Sequence, residues 1–230
     1  MLNTVPLRLV VTALLRMVLA FALLAGLLFS VAGRWDLPMF WAYLIVFFGI
    51  GLIGLGVVWR RDPSLLKERF SPPAGGRDRL TRKAALVLLT AFMVVAALDA
   101  GRFHLSGEVP MPVQVAGLAG VAGGLIGWMW AMAANRFFSS AVRIQRDRGH
   151  YVITSGPYRF VRHPGYLAGI VLFLASPLAL GSYVSVLPML VIVLVFLRRT
   201  ALEDRMLREE LEGYASYAGK VRYRLVPGVW

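Results

Sequence analysis

The chain has no cysteine, which excludes disulfides, thiolate metal sites and a cysteine nucleophile. Its three histidines, His104, His150 and His163, are too scattered for a histidine-rich metal site. Acid is scarce as well: 12 Asp and Glu stand against 25 Lys and Arg, a formal net charge of +13. Such an excess would suit nucleic acid, but the basic residues sit in loops between apolar runs. That is how a membrane protein meets an anionic leaflet. The expected partners therefore include membrane lipids and exclude nucleic acid and metal. There is also no internal repeat and no low-complexity segment.

Hydrocarbon is abundant instead. Apolar residues make up 58% of the 230 and the mean hydropathy is +0.68, beyond an ordinary globular domain. The pattern predicts an all-α, polytopic integral membrane protein. Four spans are expected, at about Val10–Ala32, Pro38–Trp59, Ala84–Phe103 and Met111–Ala134, with Arg16 close enough to the end of its span to snorkel. Two shorter apolar segments, Tyr166–Leu180 and Tyr183–Leu197, read as a helical hairpin broken at Ser176-Pro177 and Gly181-Ser182. After Arg199 an amphipathic helix continues out of the last segment: charged Glu203, Asp204, Arg205, Arg208, Glu209, Glu210 and Glu212 interleave with Leu202, Met206, Leu207 and Leu211. Tyr214, Tyr217, Tyr223 and Trp230 follow, and aromatic residues of this kind favour the membrane interface. Glycines at helical spacing (Gly49, Gly51, Gly54, Gly56; Gly117, Gly120, Gly123, Gly124, Gly127) suit close helix packing in lipid. Residues 1–110 form an N-terminal part with the basic loop, and residues 111–230 form the core that carries the chemistry.

Charge asymmetry orients the chain. The loop from Arg60 to Lys83 and the segment from Asn135 to Arg162 are basic, whereas the opposite loops hold only Arg34 and Arg102, so 23 of the 25 Lys and Arg share one side. Both termini are then cytoplasmic. A signal peptide cleaved after Ser30-Val31-Ala32 is the rival reading. It is set aside because the charge alternation needs the first span.

The densest polar stretch is Gly156-Pro-Tyr-Arg-Phe-Val-Arg-His-Pro-Gly-Tyr-Leu-Ala-Gly169, wedged against membrane-type sequence. Polar groups there are costly to keep without a use. Arg162, His163 and Tyr166 fall at the start of a helix, where free N–H groups suit a carboxylate. Glu203 lies at i+4 from Arg199, and the hairpin returns both ends to one surface. Each residue alone has a plainer use: Arg162 and Arg199 as headgroup anchors, Arg199 with Glu203 as an ion pair, His163 as a helix cap. Together, Arg162, His163, Tyr166, Arg199 and Glu203 offer both signs of charge and aromatic faces, as a zwitterionic ligand carrying a base requires.

The run Gly156-Pro-Tyr-Arg-x-x-Arg-His-Pro-x-Tyr166, then Arg199-Thr-x-x-Glu203, then Tyr214-x-x-Tyr217 and Val221-Arg-Tyr-Arg-Leu-Val-Pro227 resembles the isoprenylcysteine carboxyl methyltransferase family, whose core the phospholipid methyltransferases share. The resemblance covers about Asn135 to Trp230. It implies S-adenosylmethionine (SAM) as methyl donor and a lipophilic or lipid-modified acceptor, with the active site cytoplasmic. It implies that His150, Tyr151, Val152 and Ile153 wrap the cofactor with Tyr158. Arg162 and the tetrad His163-Pro164-Gly165-Tyr166 would line it, Glu203 would contact it, and Arg143 aligns with a polar cofactor contact. Arg199 matches a residue on the acceptor side and is the first catalytic candidate; His163 is the second, as the base that an amine, thiol or phenol acceptor would need, where the cofactor does not occupy it. One departure, Ala201-Leu202 where eukaryotic members have acidic residues, bears on the acceptor. Two alternatives belong to other classes. Membrane sterol reductases, which use NADPH, show a similar Arg-His-x-x-Tyr element, and a non-catalytic membrane protein would keep the pocket without turnover.

The orientation is directly testable. Reporter fusions at Gly76 and at the C-terminus are expected to read cytoplasmic, and fusions near Asp36 and Gly107 to read outside. A C-terminal fusion that reads outside overturns the cytoplasmic site.

Overall fold

A computed structural model describes residues 7–61, 79–139 and 141–230, and every regular element among them is helical. The elements are α1 (Leu7–Ala32), α2 (Pro38–Arg61), α3 (Arg79–Leu98), α4 (Met111–Ala134), α5 (Pro164–Ala179), α6 (Val186–Glu210) and α7 (Tyr214–Lys220). A π-helical turn, Asp99–Phe103, prolongs α3, and single 3₁₀ turns occupy Arg146–Arg148 and Gly156–Arg159. Most of the basic loop between α2 and α3, with its Ser71–Gly76 stretch, lies outside the described residues.

The four expected spans are present: Val10–Ala32, Pro38–Val57, Lys83–Phe103 and Met111–Ala134 are helical, long and apolar enough to cross a membrane. Their outward faces carry Leu15, Leu19, Leu23, Ile45, Ile53, Leu86 and Val87, all exposed. A patch of that size would drive aggregation in water, whereas lipid solvates it. The chain is an integral membrane protein. The last apolar segment and the amphipathic helix form one continuous rod, α6, apolar in its first half and charged in its second.

One sequence expectation is corrected. Ser176-Pro177 does not break the hairpin, because Pro177 lies inside α5. Proline removes one backbone donor and crowds the preceding turn, but only two helical residues follow it, and Ser176 Oγ donates to Leu172 O (2.8 Å). The break falls only at the second pair, where Gly181 takes φ +69° and Ser182 N reaches Pro177 O at 3.0 Å.

Small residues let α4 and α5 touch backbone to backbone. A Cβ on Gly117 would stand 2.4 Å from Ala179 N, and one on Gly124 would stand 2.8 Å from Leu172 N. Gly123, Gly49 and Gly56 face open space, so the glycine pattern is a packing seam only in part. Around that seam one continuous core joins all the long helices, from Leu28 and Phe29 of α1 through Tyr43, Phe92 and Val121 to Met189 and Ile192 of α6.

The turn end of the hairpin is pinned by a buried acid. Asp99 accepts from Ser182 Oγ (2.6 Å) and Ser106 N (2.9 Å) and bonds Ser106 Oγ. Val184 N in turn donates to Ser106 Oγ (3.1 Å). With that end fixed, α5 and α6 deliver Pro164 and Arg199–Glu210 together to the opposite end.

The seam gives a paired prediction. Gly124→Ala forces a methyl into backbone, and overpacking of this kind costs roughly 1–3 kcal/mol. It is expected to lower the apparent Tm of purified protein in detergent, whereas Gly123→Ala is expected to leave it unchanged. Equal shifts for the two would refute the seam.

Candidate active site

The charged end of the bundle surrounds a cavity of about 630 Å³. Twelve of the thirteen site residues expected from sequence line it: Arg143, His150, Tyr151, Val152, Ile153, Tyr158, Arg162, His163, Gly165, Tyr166, Arg199 and Glu203. The exception is Pro164, which is buried as the first residue of α5. There it suits a position that needs no N–H.

Local folding places each group. The 3₁₀ turn at Gly156–Arg159 buries Tyr158, whose hydroxyl accepts from Asn135 Nδ2 (3.1 Å) and whose carbonyl accepts from Tyr217 Oη (2.6 Å). Burial pushes the Tyr217 hydroxyl up to about 12, so it stays a donor. Tyr166, one turn into α5, donates to Glu203 Oε2 at 2.6 Å, and the Arg199 guanidinium lies 5.7 Å over its ring. His163 and Tyr166 meet edge to face with centroids 5.8 Å apart, the common face that their spacing predicts. His163 immediately precedes α5 but makes no side-chain cap.

On the far wall, Gln145 is buried and holds the 137–150 loop by donating to Phe137 O (2.6 Å) and accepting from Arg148 Nη1 (2.7 Å). His150 packs on Phe137 with centroids 4.4 Å apart, and its Nδ1 accepts from Gln145 N. Burial lowers the His150 pKa to about 4, helped by the charges of Arg143 and Arg148, so the ring is neutral. Arg143 itself bonds Asp147 (3.0 Å).

Behind the cavity wall, bonded to Arg162, His163 and Tyr214 that line it, lies a residue that the sequence analysis does not single out. Asp204 is fully buried. Its Oδ1 takes Arg162 Nε (2.7 Å), Tyr214 Oη (3.0 Å) and His163 Nε2 (3.2 Å). Its Oδ2 takes Arg224 Nε (3.0 Å), Arg208 Nε (3.1 Å) and Arg162 Nη2 (3.2 Å). Burial alone would raise its pKa, but the bonds from His163, Arg162 and Arg224 outweigh burial and hold the carboxyl far below the usual range. The signal was available: Met189, Ile192, Phe196, Thr200 and Asp204 are all buried at helical spacing, so Asp204 ends an apolar stripe. An acid on that face must be paired.

Arg162 is largely committed to this scaffold. Besides Asp204, its Nη1 donates to Val221 O (2.8 Å) and Arg222 O (2.6 Å), so four of its five N–H groups are in use. The N–H groups of Arg162 and His163 bond Tyr223 O and Arg224 O. The C-terminal segment therefore takes donors that the sequence had offered to a ligand carboxylate. Tyr214 and Tyr217 are buried within the protein. They form a small core with Leu211 and Ala218 against Val152 and Ile144.

The cavity does not stop at the charged groups. It continues between helices past Leu125, Trp128 and Met129 to Leu89, Leu86, Gly51 and Phe47. One end is therefore polar and of mixed charge, and the other is hydrocarbon.

A model of the isoprenylcysteine carboxyl methyltransferase family matches residues 117–209. A probable protein-S-isoprenylcysteine O-methyltransferase of Oryza sativa subsp. indica is 30% identical over 161 residues, covering 64% of this chain and 81% of that protein. The chain belongs to the isoprenylcysteine carboxyl methyltransferase family. The protein-S-isoprenylcysteine O-methyltransferase of Schizosaccharomyces pombe is 33% identical over 90 residues, 38% of each chain. The span matched by the family model includes the Arg162-His163-Pro164 turn and the Glu203-Asp204 pair. It ends before α7, so Tyr214 and Arg224, which complete the Asp204 cluster, lie beyond it.

His150 supplies a pH test of the cavity wall. Its folded pKa is depressed, so its contribution to stability is complete above the ordinary 6.5 and is lost as pH falls toward about 4. Thermal stability is expected to fall through that window, and His150→Gln is expected to flatten the fall. An unchanged slope in the variant would show that His150 is not buried neutral.

Proposed function

We propose that this protein is an integral membrane methyltransferase that transfers the methyl of SAM to a lipophilic carboxylate, of which a prenylated cysteine is the model. The two-ended cavity carries the reading. The family and the names of its relatives support methyl transfer, and the joined polar and apolar compartments support a charged donor meeting a lipid-like acceptor.

The residues present suit SAM. Glu203 supplies a negative charge for its ammonium, and Arg143 and Arg199 supply positive charge for its carboxylate or for that of the acceptor. Phe137, His150 and Tyr151 supply flat faces for an adenine. The neutral ring of His150 adds no charge beside that base. When bound, SAM supplies a methyl activated by its sulfonium. The work left to the chain is alignment and exclusion of water.

A carboxylate acceptor is already ionised at neutral pH, so His163 need not act as base. Arg199 is placed to orient that carboxylate through its planar fork, and packing against Tyr166 keeps the guanidinium in one plane. The apolar limb between α2, α3 and α4 would take the lipid tail sideways from the bilayer. With the basic loops cytoplasmic, the site faces the cytoplasm.

Two measurements on one preparation test this. Purified protein is expected to bind SAM and not NADPH. Glu203→Ala is expected to weaken binding at least tenfold, because a truncated partner of a buried charged group costs roughly 2–5 kcal/mol. Arg199→Ala is expected to keep SAM affinity within a few-fold and to lose most turnover with a prenylcysteine substrate, and Arg199→Lys to rescue it poorly. NADPH binding without SAM binding would overturn the reading. Loss of SAM binding in Arg199→Ala would merge the donor and acceptor sides.

A further inference from the structure

His163 lines the cavity and is buried, and one of its ring nitrogens is already taken. Nε2 lies 3.2 Å from Asp204 Oδ1 and 3.4 Å from Tyr214 Oη. The Tyr214 hydroxyl hydrogen has a shorter bond to make, to Asp204 Oδ1 at 3.0 Å. Nε2 therefore faces two oxygens, neither of which aims a hydrogen at it. A lone pair there would face the lone pairs of a carboxylate, so Nε2 carries the hydrogen, and the three guanidiniums that already share Asp204 stand against a second positive charge on the ring.

We propose that Asp204 is the positioning residue of this site, holding His163 as the Nε2–H tautomer so that the nitrogen left for a ligand is Nδ1, a hydrogen-bond acceptor. The use made of that acceptor rests on the donor-pocket reading above, but the geometry does not.

The surroundings of Asp204 keep the carboxylate in place to do this. It is faced by Arg162 from the turn before α5, by Arg208 from its own helix, by Tyr214 from α7 and by Arg224 from the C-terminal segment. Arg224 is itself steadied by stacking 4.9 Å over the Trp230 ring. Asp204 cannot swing away without leaving several of these donors unpaired, a cost that falls heavily on buried charged groups. The orientation of a histidine ring and the identity of its protonated nitrogen are set by the partner of the other nitrogen.

The consequence is a choice of ligand group. A lone pair at Nδ1 accepts from an N–H or O–H and repels a carboxylate oxygen. The His163 corner of the pocket is therefore matched to a protonated amine, such as the ammonium end of an amino-acid-bearing methyl donor. The carboxylate end is left to the arginines. The two ends of the zwitterion are told apart by one proton on one ring.

Nitrogen-15 spectra of histidine-labelled protein in lipid nanodiscs test this directly. With only three histidines in the chain, His104→Gln and His150→Gln each assign one ring by its disappearance. At the pH of turnover, His163 is expected to show a protonated Nε2 and an unprotonated Nδ1. Adding SAM is expected to shift the Nδ1 resonance. A ring protonated on Nδ1 alone, or on both nitrogens, overturns the proposal, as does an Nδ1 resonance indifferent to bound SAM. Tyr214→Phe, which removes one neutral contact, is expected to keep the tautomer and to change SAM affinity by no more than about tenfold. Asp204→Asn is expected to lose the tautomer along with SAM affinity. If that variant fails to fold, the wild-type spectrum and Tyr214→Phe still decide. Failure of the proposed function has a different signature: the Nε2–H ring would be present while SAM neither binds nor donates a methyl.

Discussion

A carboxylate taken wholly out of water must be paired, and at the charged end of this bundle the pairing of Asp204 organises everything else. Three guanidiniums, an imidazole and a phenol converge on its two oxygens. They come from the turn before α5, from α6, from α7 and from the C-terminal segment, the last three of which also meet in the small apolar core of Leu207, Leu211, Tyr217 and Val221. A hydrophobic contact between them would tolerate sliding. A set of charge-assisted bonds does not, because a misplaced Arg162, His163 or Tyr214 is left buried and unsatisfied. The cluster thus ties the chain beyond the spans to the cavity wall, which Arg162, His163 and Tyr214 line.

That tie would be useless without a matching constraint at the other end. The Asp99 and serine cluster pins the hairpin turn, and the α4–α5 seam fixes how deep α5 sits. Between these two polar knots the helices are held mainly by apolar contacts, which are non-directional. The cavity survives in the middle because both ends are specified by hydrogen bonds. Its hydrocarbon limb runs past Gly51 of α2 and Ala85 and Leu86 of α3.

Much of this was legible in the sequence, and the parts that were not share a cause. Spans are set by local composition, so Val10–Ala32 and Met111–Ala134 emerged with their ends in place. Twelve of thirteen site residues line one cavity because motif and hairpin both act over short distances. Asp204 was passed over because it neighbours Glu203 and reads as one more charge on an amphipathic helix. Only the phase of the buried stripe from Met189 distinguishes the two. The packing of Tyr214 and Tyr217 against Val152 and Ile144 is not legible either, because aromatic composition says nothing of where a short helix folds back. Arg162 looked free to bind a ligand because the carbonyls that occupy it, at Val221 and Arg222, lie some sixty residues along the chain. Long-range partners of polar groups are what a single sequence hides.

The same asymmetry bears on how such a site changes its acceptor. Of the groups assigned to the donor side, His163 is bound into the Asp204 cluster and Glu203 is bonded to Tyr166 of α5. Altering either disturbs its partner as well. The apolar limb carries no comparable constraint. Leu86, Leu89 and Met129 touch the cavity through dispersion alone, and each can be exchanged for a residue of different size with only a local packing cost. On the proposed reading, donor recognition is tied to networked polar bonds, while the surface offered to the acceptor can change one residue at a time.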